Sequence, residues 1–138
     1  ILKLLLATPG TDANASGHER TPLSYAARFG HEAIVKLLLA APGIDVNAPN
    51  ASGKTALTFA AKNGHGAVVK LLLAAPRIDV NAPDTDGWTP LTFAVNYGGE
   101  AVVELLLAAP GINVNAADTS GWMALTWAAF EGKEAIVQ

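Results

Sequence analysis

The chain repeats one pattern of 34 residues, and this period strongly limits the folds open to it. Three columns of identical residues recur at that spacing: Leu23, Leu57, Leu91 and Leu125; Ala26, Ala60, Ala94 and Ala128; Gly30, Gly64, Gly98 and Gly132. Residues 47–80 and 81–114 are identical at 21 of 34 positions without a gap. A period of this length is typical of proteins built from stacked units, each of which contacts only its neighbours.

Each repeat predicts two short helices followed by an extended segment and a turn. Thr21 is a good N-cap for the first helix, Pro22 suits its first position, and Gly30 is typical of a helix end. The second helix begins at His31-Glu32, and its residues 34–39 are apolar almost all round, which predicts burial on most sides. Half of the residues are hydrophobic but only 7% are aromatic, so the core consists of Ala, Val, Ile and Leu.

These motifs resemble the ankyrin repeat. The residues that carry the resemblance are Thr21-Pro22-Leu23-Ser24-Tyr25-Ala26-Ala27 with Gly30-His31, Thr55-Ala56-Leu57-Thr58-Phe59-Ala60-Ala61 with Gly64-His65, and Gly87-Trp88-Thr89-Pro90-Leu91-Thr92-Phe93-Ala94. The resemblance covers the whole chain and implies an all-α solenoid of helix-turn-helix units with β-hairpin-like finger loops. The style of the repeat also resembles long ankyrin arrays of filamentous fungi.

The period predicts how the chain divides into repeats. We expect a single domain, residues 1–138, with a partial repeat at 1–13, full repeats at 14–46, 47–80 and 81–114, and a truncated repeat at 115–138. Because the chain begins in the middle of a motif, we expect it to be a fragment of a longer protein. Neither end carries the polar cap that a solenoid needs, which predicts head-to-tail self-association.

The last repeat departs from the pattern at the start of its first helix. Met123-Ala124 stands where the other repeats have Thr-Pro or Thr-Ala. Since Met has no side-chain oxygen to accept a backbone hydrogen bond, we expect this helix to lack a cap, at a cost of about 1 kcal/mol.

The composition and the motifs argue against several classes of function. A net charge of −3, from 9 basic and 12 acidic residues, gives no support to nucleic acid or a membrane as partner. There is no cysteine, which fits an intracellular location. His31 and His65 occupy the same repeat position, which favours structural roles over one catalytic site. We therefore expect no enzyme, no metal site and no cofactor.

Function is sought in the positions where the repeats differ. In ankyrin proteins these positions face a concave groove of fingers and first helices that takes partners. The resemblance therefore implies a partner-binding groove formed by Arg20, Arg28, Phe29, Lys54, Lys62, Trp88, Asn96, Tyr97, Trp122 and Phe130. The first half of this groove is basic and the second half aromatic, which suits a peptide with acidic and apolar stretches. We expect a non-catalytic scaffold for a protein or peptide partner; the alternative is a spacer within a longer array.

Each part of this groove also has a simpler structural interpretation. Trp88 and Trp122 either anchor a partner or pack on the next finger. The basic side chains are either binding groups or ordinary solvated charges. A separate aromatic column is regular enough to predict core positions: Tyr25, Phe59, Phe93 and Trp127.

Overall fold

The computed structural model describes residues 1–8, 11–14 and 21–132, and within them the backbone forms eight α-helices and one π-helical segment without a β-strand. The helices are α1 (Leu2–Ala7), α2 (Pro22–Phe29), α3 (Glu32–Leu39), α4 (Ala56–Lys62), α5 (Gly66–Leu73), α6 (Pro90–Phe93), α7 (Glu100–Leu107) and α8 (Ala124–Phe130). The π-helical segment, Ala94–Gly98, continues directly from α6. No helix in this described part is long and apolar enough to cross a bilayer.

The helices are arranged in stacked pairs. α2 contacts α3, α4 contacts α5, and α6 with its π-helical segment contacts α7. One layer of the stack contains the first helices of the pairs (α2, α4, α6 and α8), and the other contains the second helices (α3, α5 and α7). The predicted all-α repeat solenoid is therefore confirmed.

Threonine side chains start the first helices, as the sequence predicts. Thr21 accepts a hydrogen bond from the backbone N–H of Ser24 at the start of α2. Thr55 and Thr89 make reciprocal capping boxes at the starts of α4 and α6, each with a threonine three residues later. α8 begins after Met123 without any side-chain cap, so the predicted absence of a cap is confirmed.

The core lies between the two layers and is aliphatic. Its fully buried side chains are mainly leucines and valines: Leu23, Leu38, Leu57, Leu72, Leu106, Val35, Val68, Val69, Val95 and Val102. The alanines Ala27, Ala60, Ala61 and Ala94 are completely buried, and their small side chains let the first helices approach one another closely.

The third helix pair differs from the first two where its first helix ends. Gly30 and Gly64 both adopt φ of 71°, which favours glycine. The His65 ring lies against Gly30, and its Nε2 is 2.9 Å from the Arg28 carbonyl oxygen, so His65 has a structural contact between pairs. Gly99 replaces this histidine in the third pair. There the chain continues through the π-helical segment, and Gly99 takes φ of 88°.

A ladder of asparagine side chains joins successive helix pairs. Asn14, Asn47 and Asn81 each donate from Nδ2 to a carbonyl oxygen 29 to 30 residues ahead, at 2.7–2.8 Å. Their Oδ1 atoms accept backbone N–H groups two residues beyond those carbonyls, also at 2.7–2.8 Å. Local sequence patterns do not predict this asparagine ladder. It holds each extended segment against the next one.

Candidate functional site

Each finger loop closes around one side-chain oxygen. Oδ1 of Asn50, Asp84 and Asp118 accepts two backbone N–H groups, two and four residues later, at 2.9 Å. Neighbouring fingers are joined by backbone hydrogen bonds, Thr85 N–H to Ser52 O at 3.0 Å and Thr119 N–H to Asp86 O at 2.9 Å. The described fingers are therefore linked turns rather than β-strands. They place Lys54, Trp88 and Trp122 at equivalent points, directly after each turn.

The second oxygen of each finger aspartate has a different partner in successive fingers. Asp84 is buried, and its Oδ2 lies 3.4 Å from Nζ of Lys54 in the preceding finger. Asp118 is also buried, but its Oδ2 accepts a hydrogen bond of 3.0 Å from Nε1 of Trp127 in the following helix. The repeat thus satisfies the same buried oxygen with either an ammonium group or an indole N–H.

The environment of Asp118 stabilises its ionised form. Burial by itself raises the pKa of this carboxyl group. Hydrogen bonds from Trp122 N–H, Trp127 Nε1–H and Ser120 N–H act in the opposite direction and outweigh burial, so the pKa of Asp118 lies below its ordinary value of 3.8. The fourth finger is therefore held together by a carboxylate at neutral pH.

A cleft of about 250 Å³ opens beside the second and third fingers. Its lining consists of Lys54, Lys62, Asp84, Asp86, Trp88, Phe93 and Tyr97. The Lys62 ammonium lies 6.0 Å from the centre of the Phe93 ring and 5.6 Å from that of Tyr97, within the range of cation–π attraction. No carboxylate of the described residues lies within ion-pair distance of Lys62.

Aromatic rings extend this cleft toward the end of the stack. Trp88 contacts Trp127 with ring centres 5.0 Å apart, and Trp127 contacts Trp122 at 4.6 Å. Trp122 contacts Phe130 in turn, at 5.4 Å. We call the set Lys54, Lys62, Trp88, Tyr97, Trp122 and Phe130 the Lys–aromatic surface.

Side-chain exposure divides the aromatic members of this surface into two kinds. Trp88 and Trp122 are half-buried, because they pack against neighbouring rings. Tyr97 and Phe130 are 62% and 69% exposed. The two tryptophans therefore support the surface, and Tyr97 and Phe130 present it to solvent.

Lys54 does not fit the interpretation as a solvated charge. Its side chain is only 22% exposed, it pairs with Asp84, and its Nζ lies 5.7 Å from the centre of the Phe93 ring. The expected division into a basic half and an aromatic half is also too simple, since both lysines lie against rings of the next helix pair.

Three other described residues of the predicted groove do not join this surface: Arg28, Phe29 and Asn96. Arg28 lies over the neighbouring Phe29 ring, at 5.3 Å, and forms a separate pair at the end of α2. Asn96 donates from Nδ2 to Thr92 O at 3.0 Å, a bond within its own helix. Arg20 lies outside the described residues.

The predicted aromatic core column is correct only in its middle. Phe59 and Phe93 are buried, whereas Trp127 is half-buried and Tyr25 is exposed. Trp127 instead contributes to the site, because it bonds Asp118 and joins the two groove tryptophans. The sequence signal for this role was that position 127 holds Trp, whereas the two preceding repeats hold Phe59 and Phe93.

The arrangement offers groups that suit recognition of a ligand. Among the residues that the structure describes, no three His, Asp or Glu side chains converge in a way that could hold a metal ion. The Lys–aromatic surface combines an ammonium group without a carboxylate partner, an exposed phenol and an exposed phenyl ring. Such groups suit an acidic and apolar ligand.

Comparison with known proteins agrees with the repeat architecture. A family model described as ankyrin repeats (3 copies) matches residues 1–84 and 76–138, which together span the chain. A search of curated proteins finds no match.

Proposed function

Because the chain belongs to the ankyrin-repeat family, we propose that it is a scaffold that binds a protein partner through the Lys–aromatic surface. Ankyrin repeats are in general protein–protein interaction modules, and the family is generally non-catalytic. The proposal adds the location of the contact and the chemistry of the partner.

One observation supports this location above the others. Lys62 has no carboxylate partner in the described part of the chain, and it lies next to the exposed Tyr97 ring. A carboxylate from a partner would complete the ion pair in a cleft already bounded by rings, where water screens charge less than at an open surface. Tyrosine and tryptophan are also the side chains most often found at the energetic centre of protein interfaces.

The partner is a peptide segment that carries an acidic residue followed by apolar or aromatic residues. The acidic residue pairs with Lys62. The apolar residues contact Tyr97 and continue over Trp122 to Phe130, along the direction in which the rings contact one another.

The alternative function, a spacer within a longer array, also has support in the structure. Trp88 and Trp122 make ring contacts that stabilise the stack without any partner. Under this alternative, the exposed Tyr97 and Phe130 rings have no function of their own.

Selection of a random peptide library against the protein separates the two functions. Selected peptides are measured by calorimetry against the wild type, Tyr97→Ala and Lys62→Gln. We expect each substitution to weaken binding about tenfold, or 1.4 kcal/mol. Lys70→Gln is the matched control, because Lys70 is exposed on α5 and lies outside the Lys–aromatic surface. It should leave the affinity unchanged.

The three indole N–H signals of Trp88, Trp122 and Trp127 locate the bound peptide independently. We expect peptide addition to shift the Trp88 and Trp122 signals in ¹H–¹⁵N spectra, with assignments from single Trp→Phe variants. Peptides that bind all variants equally and shift none of these signals would place the binding site elsewhere. A failure to select any binder would favour the spacer.

A further inference from the structure

One amide side chain joins the second helix pair to the first and also precedes a glycine. Asn63 follows α4 directly, and its Nδ2 atom donates to the Arg28 carbonyl oxygen at 3.1 Å. The next residue is Gly64, and no other asparagine of the chain is followed by glycine. This amide lies outside the Lys–aromatic surface and has no part in the function proposed above.

The Arg28 carbonyl oxygen is held by two side chains of the second pair. His65 Nε2 lies 2.9 Å from the same oxygen as Asn63 Nδ2. Because a carbonyl oxygen can only accept, the His65 ring must carry its hydrogen on Nε2. Asn63 and His65 therefore donate together to the end of α2, and the two hydrogen bonds connect the two pairs at this point.

The surroundings of Asn63 leave its amide open to reaction with the next backbone nitrogen. Asn63 and Gly64 are both exposed, so water reaches the side chain and a leaving group can depart. Gly64 has no side chain to shield its nitrogen, and its N–H donates to Ala61 O at 3.3 Å, which is longer than usual for such a bond. Asn63 is also the C-cap of α4, at the part of a helix that frays most easily.

We propose that Asn63 is a site of spontaneous deamidation whose rate is limited by the contact between the first two helix pairs. The Gly64 nitrogen loses its proton to a base in the solvent and bonds to Asn63 Cγ. The Cγ–Nδ2 bond breaks, ammonia leaves and a cyclic imide remains. Water then adds to one of the two imide carbonyls and gives aspartate or isoaspartate, so one water is consumed for each ammonia released.

The folded conformation protects Asn63 from this reaction. Its ψ angle of 4° turns the Gly64 nitrogen away from the Asn63 side chain, and ring closure needs a rotation that brings this nitrogen to the side of Cβ. The rotation requires Gly64 N–H to leave Ala61 O and Asn63 Nδ2 to leave Arg28 O. Since α2 packs on α4, the second of these bonds is released when the first pair opens.

The product weakens the connection that had protected the amide. A carboxylate has no hydrogen to donate, so an acidic side chain at position 63 cannot bond the Arg28 carbonyl oxygen. Only His65 then holds this oxygen. Deamidation therefore makes the first pair open more readily from the rest of the stack.

The test is incubation of the protein in mildly alkaline buffer, followed by peptide mapping with a mass spectrometric assay that separates aspartate from isoaspartate. We expect Asn63 to be converted before Asn50 and Asn96, which precede Ala51 and Tyr97. In urea that unfolds the chain, Asn63 should react about tenfold faster than in the folded protein, which is the factor expected from the loss of its hydrogen bonds.

Two matched variants show whether opening of the first pair limits the rate. Thr21→Val removes the cap of α2 and should speed the reaction of folded Asn63 about fivefold. Thr89→Val removes the same cap from α6 in the third pair and should leave this rate unchanged. In urea, both variants should react at the wild-type rate, and circular dichroism checks that each is folded in buffer.

The product is examined with Asn63→Asp, which should speed amide hydrogen exchange in α2 and leave α7 unchanged. Earlier conversion of another asparagine would overturn the assignment of the site. Equal rates in buffer and in urea, or equal effects of Thr21→Val and Thr89→Val, would overturn its control by the contact between the pairs. Unchanged exchange in α2 of Asn63→Asp would show that the product does not weaken this contact.

Discussion

At the scale of single residues, the finger aspartates show how a repeat keeps a buried charge while its surroundings change. Asp84 and Asp118 occupy one repeat position and use Oδ1 identically. Their Oδ2 atoms are bonded by Lys54 in one case and Trp127 in the other. A buried carboxylate oxygen without a hydrogen-bond or ion-pair partner lowers the stability of the fold. Each finger therefore needs one partner for this oxygen, and Lys54 and Trp127 fill the same role in different fingers.

The hydrogen bonds to Asp118 predict a dependence of stability on pH. Its folded pKa is lowered, so the unfolded chain binds a proton at this residue more readily than the folded chain. The contribution of ionised Asp118 to the free energy of unfolding is therefore complete above its unfolded pKa. This contribution declines as the pH falls below the unfolded pKa and is lost once the pH is below the folded pKa. In Trp127→Phe, the folded pKa should rise, and this acid-dependent loss of the free energy of unfolding should become smaller.

A carboxyl ¹³C titration of Asp118 and urea unfolding at several pH values measure the two quantities. Phenylalanine is compatible with the fold at this position, since Phe59 and Phe93 occupy it in the preceding helix pairs. Trp122→Phe is the control, because only the backbone N–H of Trp122 bonds Asp118. An unchanged titration in Trp127→Phe would exclude the indole hydrogen bond as a cause of the lowered pKa.

Residue contacts of this kind were beyond what the sequence could predict. Lys54 and Asp84 are 30 residues apart, and the rungs of the asparagine ladder join residues 29 to 32 positions apart. Such contacts depend on the register in which the helix pairs stack. Local patterns predicted that these residues lie in finger loops and extended segments, but not what their side chains bond.

At the scale of helices, the first helices α2, α4 and α6 begin at a capping threonine, whereas α8 lacks this cap. We expect Met123→Thr to raise the free energy of unfolding by about 1 kcal/mol. The new hydroxyl would meet Thr126 at the third helical position, as Thr55 meets Thr58 in α4. Urea unfolding measures the gain. Met123→Val is the matched control, since valine has the shape of threonine without its oxygen; equal effects of the two substitutions would mean that no cap forms.

The helix contact at Gly98 predicts a second effect at this scale. A Cβ atom at Gly98 would collide with the backbone oxygen of Ala61, which cannot move without shifting α4. Gly98→Ala should therefore lower the free energy of unfolding by about 1–3 kcal/mol. At Gly66 a Cβ would lie at an ordinary 3.8 Å from Leu105 Cδ1, so Gly66→Ala should be neutral or stabilising by up to about 1 kcal/mol.

Thermal unfolding of both glycine variants gives the comparison. A loss of stability in Gly66→Ala equal to that in Gly98→Ala would show that the close approach of the π-helical segment to α4 is not its cause. The sequence predicted a helix end at Gly98 but not the π-helical segment. At this point Gly99 stands in place of the histidine that reaches back across the stack in the second pair, as His65 does.

At the scale of the whole molecule, burial is greatest in the middle of the stack. Residues 56–61 of α4 are all buried, α8 buries only Ala128, and α1 buries none. In a linear stack, each pair is stabilised by its immediate neighbours, so the ends open at lower free energy than the centre.

We therefore expect amide hydrogen exchange to be slowest in α4 and α5 and fastest in α1 and α8. The measurement is made at low protein concentration, so that contacts between molecules do not protect α1 and α8. Uniform exchange rates across the helices would contradict this gradient and indicate that the chain opens only as a whole.

The architecture at this scale was the most predictable part of the molecule. A strict period of 34 residues and a Thr or Thr-Pro helix start in three repeats leave few ways to bury the apolar helices other than stacking. The site was less predictable, because Arg28 and Asn96 share the repeat positions of true surface residues but bond locally. The position in the repeat determines where the backbone of a residue lies. The neighbouring helix pair determines which contacts its side chain makes.

The finger aspartates Asp84 and Asp118 have different partners, and this restricts which repeats can be duplicated in tandem without loss of stability. A tandem duplication of residues 85–118 would place the first Asp118 after Trp88 and before a second copy of Phe93. Phe93 has no N–H in the place of the Trp127 indole, so the duplicated finger would lose the hydrogen bond from Trp127 to Asp118 Oδ2 and keep only the side-chain hydrogen bond of Trp88. Whole repeats are thus not freely copied units: a donor and the acidic finger it serves must be inherited together across the boundary.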